Sequence, residues 1–319
     1  MTTTITRKRI IVSLVILLLA AVGLYGLLPQ MGDFKSSLTA LQDSSPALVL
    51  AAVGCSLLAT VWAALIYMLL SLKRLAFGAT LAVQLAGLFI NRVLPAGIGG
   101  LGLNFLYLRA HRHTGMQATT IVALNNLLGA AGHAVLAVVI VVVSSLAFKD
   151  LHNVDVSSQA VAAGVALVVL AMLAGAMYLR RHAARARKWK HQLGVLVGYY
   201  GRHPVRLVVA LCISMLLTLS NVMALWLCCQ ALGISLSMLQ VFVVFTLGVA
   251  VGTATPTPGG IGGAEAALTA GLIAQGVDVP LALAAALLYR FASFWIGLLV
   301  GAGATAAVFS RRLLRASGA

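Results

Sequence analysis

Long apolar stretches separated by short polar segments, most of them basic, set the pattern of this chain. A helix needs about 20 apolar residues to cross a hydrocarbon core about 30 Å thick. Six stretches reach that length: Ile10 to Leu28, Ala47 to Leu72, Thr119 to Phe148, Ser158 to Leu179, Val205 to Leu232 and Leu281 to Phe309. The first follows Arg7-Lys8-Arg9, is too long for a typical signal-peptide core and has no small-residue cleavage site, so a retained helix is expected there. Two further regions, Thr80 to Leu108 and Leu239 to Gln275, are long enough for two passes but are interrupted at Pro95 and Pro258. Proline and repeated glycine cannot continue a helix, and non-helical backbone at membrane depth needs shelter from protein or a water-filled cavity. Each region therefore reads as a hairpin. The arm Val241 to Thr253 rises only about 20 Å as a helix, which favours re-entry over two complete crossings.

The two interruptions resemble each other. Pro95-Ala-Gly-Ile-Gly-Gly100 matches Pro258-Gly-Gly-Ile-Gly-Gly263 at five of six positions, and each follows two long helices and precedes one. Hairpins entering from opposite faces make residues 1–155 and 156–319 the halves of an inverted-topology repeat, an arrangement that places a substrate site near the bilayer midplane.

Composition and charge narrow the class. With 319 residues, 61% hydrophobic and 9% charged, the chain reads as an all-α polytopic membrane protein and not as a soluble domain. Its net charge of +16 does not signal nucleic acid, because basic and aromatic residues are not interleaved on any long soluble stretch. Position explains it instead. With a cytoplasmic N-terminus, that side collects Arg7, Lys8, Arg9, Lys73, Arg74, Arg109, Arg112, the run from Arg180 to Arg206, and Arg311, Arg312 and Arg315. The other side receives Lys35, Lys149 and five aspartates, as the positive-inside rule requires of a bacterial inner-membrane protein with both termini cytoplasmic. The segment Arg180 to Arg206 reads as an orientation determinant touching anionic lipid headgroups. Cys55, Cys212, Cys228 and Cys229 lie in apolar runs without metal-ligand spacing and read as buried thiols; no cofactor is implied.

Candidate chemistry gathers at the interruptions. Thr255-Pro-Thr-Pro-Gly-Gly-Ile-Gly-Gly-Ala-Glu265 holds the only glutamate of the chain, and a charge at the bilayer centre costs about 2.5 to 3.5 kcal/mol even on insertion scales. After each tip a helix N-terminus points into the membrane, so the backbone N–H groups around Pro95, Gly97, Gly99 and Gly100, and around Pro258, Gly259, Gly260, Gly262 and Gly263, offer an anion site. The plainer alternative is that these glycines only permit the turns and close helix packing. Glu265 reads as a counter-charge to a substrate ammonium, as a protonatable gate, or as the partner of Arg290 in a salt bridge; pairing is the favoured expectation and does not exclude a role in transport, since a pair that breaks is also a switch. Arg92, next to Asn91, could grip a phosphate through its planar fork or cap broken-helix carbonyls. Asn125 and Asn126 either line the same cavity or bond a neighbouring helix, and the aromatic patch Tyr289, Phe291, Phe294 and Trp295 either holds a ligand or simply packs. His133 reads as a packing residue. There is no HExxH, GxSxG, P-loop or acidic cluster, so no enzyme is expected.

The run Thr255 to Glu265, then Gly276 and Leu288-Tyr289-Arg290, resembles the C-terminal signature of the lysylphosphatidylglycerol synthase transmembrane region family, also called flippase-like. The resemblance implies Pro258, Gly259, Gly260, Gly262, Glu265 and Arg290 as the core of one half-site. Members with a cytosolic aminoacyl-transferase domain make aminoacylated phosphatidylglycerol and move it between leaflets; this chain is expected to be a stand-alone member. Such members are associated with transport of polar or polycyclic lipids, including hopanoid-type ones. Ala96, Gly97, Gly99 and Gly100 stand where many relatives carry charge after the first proline, which favours a weakly charged or largely apolar substrate. The expected function is translocation of a lipid or lipid-linked molecule. The alternatives are an ion-coupled transporter of a small solute and a scaffold for lipid-synthesis enzymes. Membrane lipids are the expected partners, with a homodimer and lipid-synthesis enzymes as further classes.

Overall fold

The computed structural model describes residues 39, 41–42, 44–93, 98–147, 198–255 and 257–316, and among them the secondary structure is helical. The main helices are α1 (Pro46–Leu70), α2 (Phe77–Val93), α3 (Ile98–Ala110), α4 (Gly115–Ala147), α5 (Pro204–Ala231), α6 (Met238–Ala254), α7 (Gly263–Ala274), α8 (Val279–Arg290) and α9 (Ile296–Ala316). A 3-10 turn, Pro258–Gly260, lies between α6 and α7, and a π turn, Phe291–Trp295, joins α8 to α9.

Among the described residues, four helices are long and apolar enough to cross a membrane: Pro46–Leu70, Gly115–Ile140, Pro204–Ala231 and Val279–Ala307. Each begins one to four residues before the apolar run that predicted it. The reason is capping chemistry. Pro46 and Pro204 occupy first helical positions, where the missing N–H has no partner to lose. Before α4, Thr114 Oγ1 accepts from the amide of Gln117 at 3.2 Å while the Gln117 side chain accepts from the amide of Thr114 at 2.9 Å, so polar residues extend the apolar helix. The stretches Ile10 to Leu28 and Ser158 to Leu179, and the basic segment as far as residue 197, lie outside the described residues.

The two interrupted regions become the helix pairs α2/α3 and α6/α7. With 17 residues each, α2 and α6 rise about 25 Å, short of a hydrocarbon core. In the second pair the break is wider than Pro258, because α6 stops at Ala254. α6 and α7 run antiparallel through glycine contacts: a Cβ on Gly248 would meet Leu268, one on Gly252 would meet Ala264, and one on Gly271 would meet Val244. Only small residues allow this approach.

The helices form two compact units, each drawing on both sequence halves. One unit comprises the described parts of Met1–Thr60, Ala82–Leu103 and Ser220–Ala319. Its buried centre is α8, where Ala282, Leu283, Ala284, Ala285 and Ala286 are all covered, as for a helix apolar on every side. α9 packs on α2 there: a Cβ on Gly301 would meet the amide of Phe89 at 2.6 Å and the carbonyl of Leu85 at 2.7 Å. The other unit comprises the described parts of Val61–Leu81 and Asn104–Leu219. Within it, Gly132 of α4 faces Ser214 of α5, and the Thr80 and Tyr107 hydroxyls meet at 2.9 Å.

Candidate functional site

The chain leaves α6 at Thr255, whose amide still donates to the Val251 carbonyl at 2.8 Å, and enters the tip in extended conformation. Thr257, buried, donates through Oγ1 to the Ile261 carbonyl at 2.8 Å. Gly259 and Gly260 then take φ of +61° and +67°, a left-handed conformation that glycine adopts without strain. A Cβ on Gly259 would run into the Phe294 ring, and one on Gly260 would run into the backbone of Gly252. The tip is thus pressed between α6 and the π turn.

A single ion pair clasps this tip. Glu265, in the first turn of α7, accepts from the Gly262 amide through Oε2 at 2.8 Å and from Arg290 Nε through Oε1 at 2.6 Å. Arg290 Nη2 donates to the Gly259 carbonyl at 3.1 Å. Both side chains of the pair are 11% exposed. The carboxylate therefore neutralises one guanidinium, complements the helix dipole and satisfies one of the free amides of α7. The amides of Gly260 and Ile261 are also bonded within the tip, to Thr257 and Pro258.

Arg92 approaches the same place from α2. Its Nη1 donates to the Leu88 carbonyl and its Nη2 to the Ser293 carbonyl, each at 2.5 Å. The acceptor at Ser293 lies inside the π turn, a local widening of the helix that recurs at functional sites. The guanidinium fits against Gly297, whose missing Cβ would stand 2.8 Å from Nη2. Arg92 and Arg290 both lie over the Phe294 ring, with guanidinium carbons 5.1 and 4.2 Å from its centre. The Nε of Arg92 is buried without a hydrogen-bond partner among the described residues.

These groups face a cavity of about 430 Å³. Asn91 and Arg92 line it from α2; Phe245, Gly252 and Thr253 from α6; Thr255, Thr257, Gly259 and Gly260 from the tip; and Tyr289, Arg290, Ser293 and Phe294 from α8 and the π turn. Pro258, Gly262, Gly263 and Glu265 shape the tip without lining the cavity. Asn91 Oδ1 accepts from the Gly100 amide at 2.6 Å, and Gly99 sits against Ile90, so these residues close the first turn. Pro95 and Gly97 lie outside the described residues. Asn125 and Asn126 sit on α4, the first half-buried and the second exposed, and do not line this cavity.

Of the aromatic patch, Tyr289 and Phe294 are buried and line the cavity, whereas Phe291 and Trp295 are exposed. Sequence reasoning missed Ser293, Thr253 and Thr257 as lining residues, and Gly297 as the seat of Arg92. A signal for part of this was present. Small residues recur every four positions at Ser293, Gly297, Gly301 and Thr305, a spacing that lets another helix approach closely.

The family model described as Lysylphosphatidylglycerol synthase TM region matches residues 9–301. No curated protein matches the chain.

Proposed function

The chain belongs to the lysylphosphatidylglycerol synthase TM region family, and on that footing we propose that it carries a lipid or lipid-linked molecule between membrane leaflets, without chemical conversion. The observation that carries this reading is the convergence of Arg92 and Arg290, 198 positions apart in the chain, on one cavity beside a broken helix. An anionic headgroup enters that cavity and meets the guanidinium groups while its tails stay in the bilayer. In this reading the pairs α2/α3 and α6/α7 are re-entrant hairpins of an inverted repeat with six full crossings. They enter a bacterial inner membrane from opposite faces, and both termini are cytoplasmic.

Glu265 has the role of a latch. It holds Arg290 and the Gly262 amide together, so release of either would free the tip to move. The test is translocation of fluorescent phospholipids by the purified protein in liposomes. Glu265→Gln is expected to abolish translocation while sparing expression; full retention of transport removes Glu265 from the mechanism. Arg92→Gln is expected to slow it by about ten- to a hundredfold, the loss typical of a hydrogen bond to a charged group.

A further inference from the structure

Resting on the lipid-carrier reading, we infer that this cavity takes a monoanionic phosphodiester headgroup bearing free hydroxyls, and that it rejects headgroups carrying an ammonium group. Two independent features of the lining lead there. The first is charge. Arg92 and Arg290 line the cavity, whereas Glu265 stands behind it with both oxygens engaged, so among the described residues the cluster has one uncompensated positive charge and turns no carboxylate toward a ligand. A monoanion neutralises it; a dianion or an added cation leaves net charge in a poorly solvated place. Each guanidinium has five N–H donors and uses two on the partners described, and the buried Nε of Arg92 lacks an acceptor. The two non-bridging oxygens of a phosphodiester supply acceptors of suitable spacing.

The second feature is the state of the hydroxyls. Thr253, Thr255, Thr257 and Ser293 all line the cavity, and each donates its only hydroxyl hydrogen to a backbone carbonyl, at 2.8, 2.7, 2.8 and 2.7 Å. A hydroxyl whose hydrogen is engaged can only accept. These four hydroxyls therefore add acceptors to a lining whose side-chain donors are the arginines, Asn91 and Tyr289, and the acceptors call for ligand donors. Hydroxyls and ammonium groups both qualify by hydrogen bonding, and the positive excess decides for hydroxyls. A lysylated headgroup, with its ammonium groups, meets the wrong sign of charge.

The test is native mass spectrometry of the full chain in detergent with an equimolar mixture of four lipids of identical acyl chains. These are phosphatidylglycerol (monoanion with hydroxyls), phosphatidylmethanol (monoanion without), phosphatidylethanolamine (ammonium) and lysyl-phosphatidylglycerol. The expected result is about tenfold preferential retention of phosphatidylglycerol over each of the others, the effect of one or two net hydrogen bonds. The preference over phosphatidylmethanol should vanish in Thr253→Val, Thr255→Val and return with Thr253→Ser, Thr255→Ser; the preference over phosphatidylethanolamine should vanish in Arg92→Gln. Equal retention of all four, or preference for an ammonium lipid, overturns the inference and leaves lipid carriage standing. Retention of none overturns both. Free glycerophosphoglycerol displacing the lipid as effectively as phosphatidylglycerol does would assign the site to a soluble diester and overturn the lipid reading. The wild-type competition needs no variant, so a misfolded mutant cannot leave the question open.

Discussion

Two glycine turns of nearly identical sequence are closed by different chemistry. In the first, the neutral amide of Asn91 accepts from the Gly100 backbone. In the second, the charged carboxylate of Glu265 accepts from the Gly262 backbone and binds a guanidinium as well. The aligned positions trade roles: Arg92 corresponds to Thr255, and Glu265 corresponds to Gly102. Glycine is needed in each: Gly99 and Gly100 press against Ile90 and Asn91, and Gly259, Gly260 and Gly262 take positive φ. The charges come from the flanks, which differ. A repeated motif thus sits between different flanks and leaves the site asymmetric, with a cation beside one turn and an ion pair beside the other.

The largest test of that contrast removes the acid. In Glu265→Ala the Arg290 guanidinium loses its carboxylate partner and the Gly262 amide loses its acceptor, and breaking a buried pair from one side costs about 3–5 kcal/mol. Thermal or denaturant unfolding in a fixed detergent reads this loss. A cost below about 1 kcal/mol would mean that the pair is solvated, as exposed pairs are, and the contrast between the turns would collapse.

Next in size is a difference between glycines. Gly260→Ala must hold a side chain at a φ of +67° and displace the backbone of Gly252, with strain of about 1–3 kcal/mol before any packing loss. Gly100→Ala meets only the flexible amide of Asn91 and is expected to cost about 1 kcal/mol, the value of the hydrogen bond it disturbs. The same unfolding measurement ranks them; equal costs would show the first turn to be as tightly built as the second. Asn91→Ala removes the first turn's neutral clasp and is expected to cost about 1 kcal/mol, well below Glu265→Ala.

Several of these features were legible in the sequence because they are local or chemically compelled. Pro258 and four neighbouring glycines dictate a helix break, and a sole glutamate in an apolar stretch calls for a cationic partner, which Arg290 supplies. The helix starts were readable to within a turn. The site was legible only in part, since its remaining components depend on approach between elements distant in the chain. Arg92 caps Ser293 across 201 positions, and the π turn that presents that carbonyl leaves no mark in hydrophobic periodicity. The tip amides, read as an anion site, are in part bonded internally at Gly260, Ile261 and Gly262, and the guanidinium N–H groups of Arg92 and Arg290 stand among the side-chain donors on the cavity wall. The hydroxyl orientations of Thr253 and Ser293 follow from helical back-bonding, which residue type alone does not determine.

The smallest expected effect lies away from both turns and serves as their control. His113 sits between α3 and α4 and is 2% exposed. Its Nδ1 lies 3.0 Å from the Leu108 carbonyl, and its Nε2 lies 3.1 Å from the Ser71 hydroxyl, which itself donates to the Lys73 carbonyl at 2.7 Å. Arg109 donates to its carbonyl, and the charges of Lys73 and His111 face the ring. Burial first, and then those charges, push the imidazole's pKa below its ordinary value of 6.5, against the Leu108 bond, which raises it. The unfolded chain therefore binds the proton more readily than the folded one, so stability is fully present above about pH 6.5 and is lost as the pH falls through the folded value. Thermal midpoints in detergent are expected to hold steady above neutrality and to decline toward pH 5. His113→Gln should remove its part of the slope. Asn91→Ala and Gly260→Ala should shift every midpoint down and keep the slope, because neither introduces or removes a titrating group. A slope that disappears with damage to either turn, and survives in His113→Gln, would move the pH response into the cavity region and make the two turns, not this loop, the proton-sensitive part of the protein.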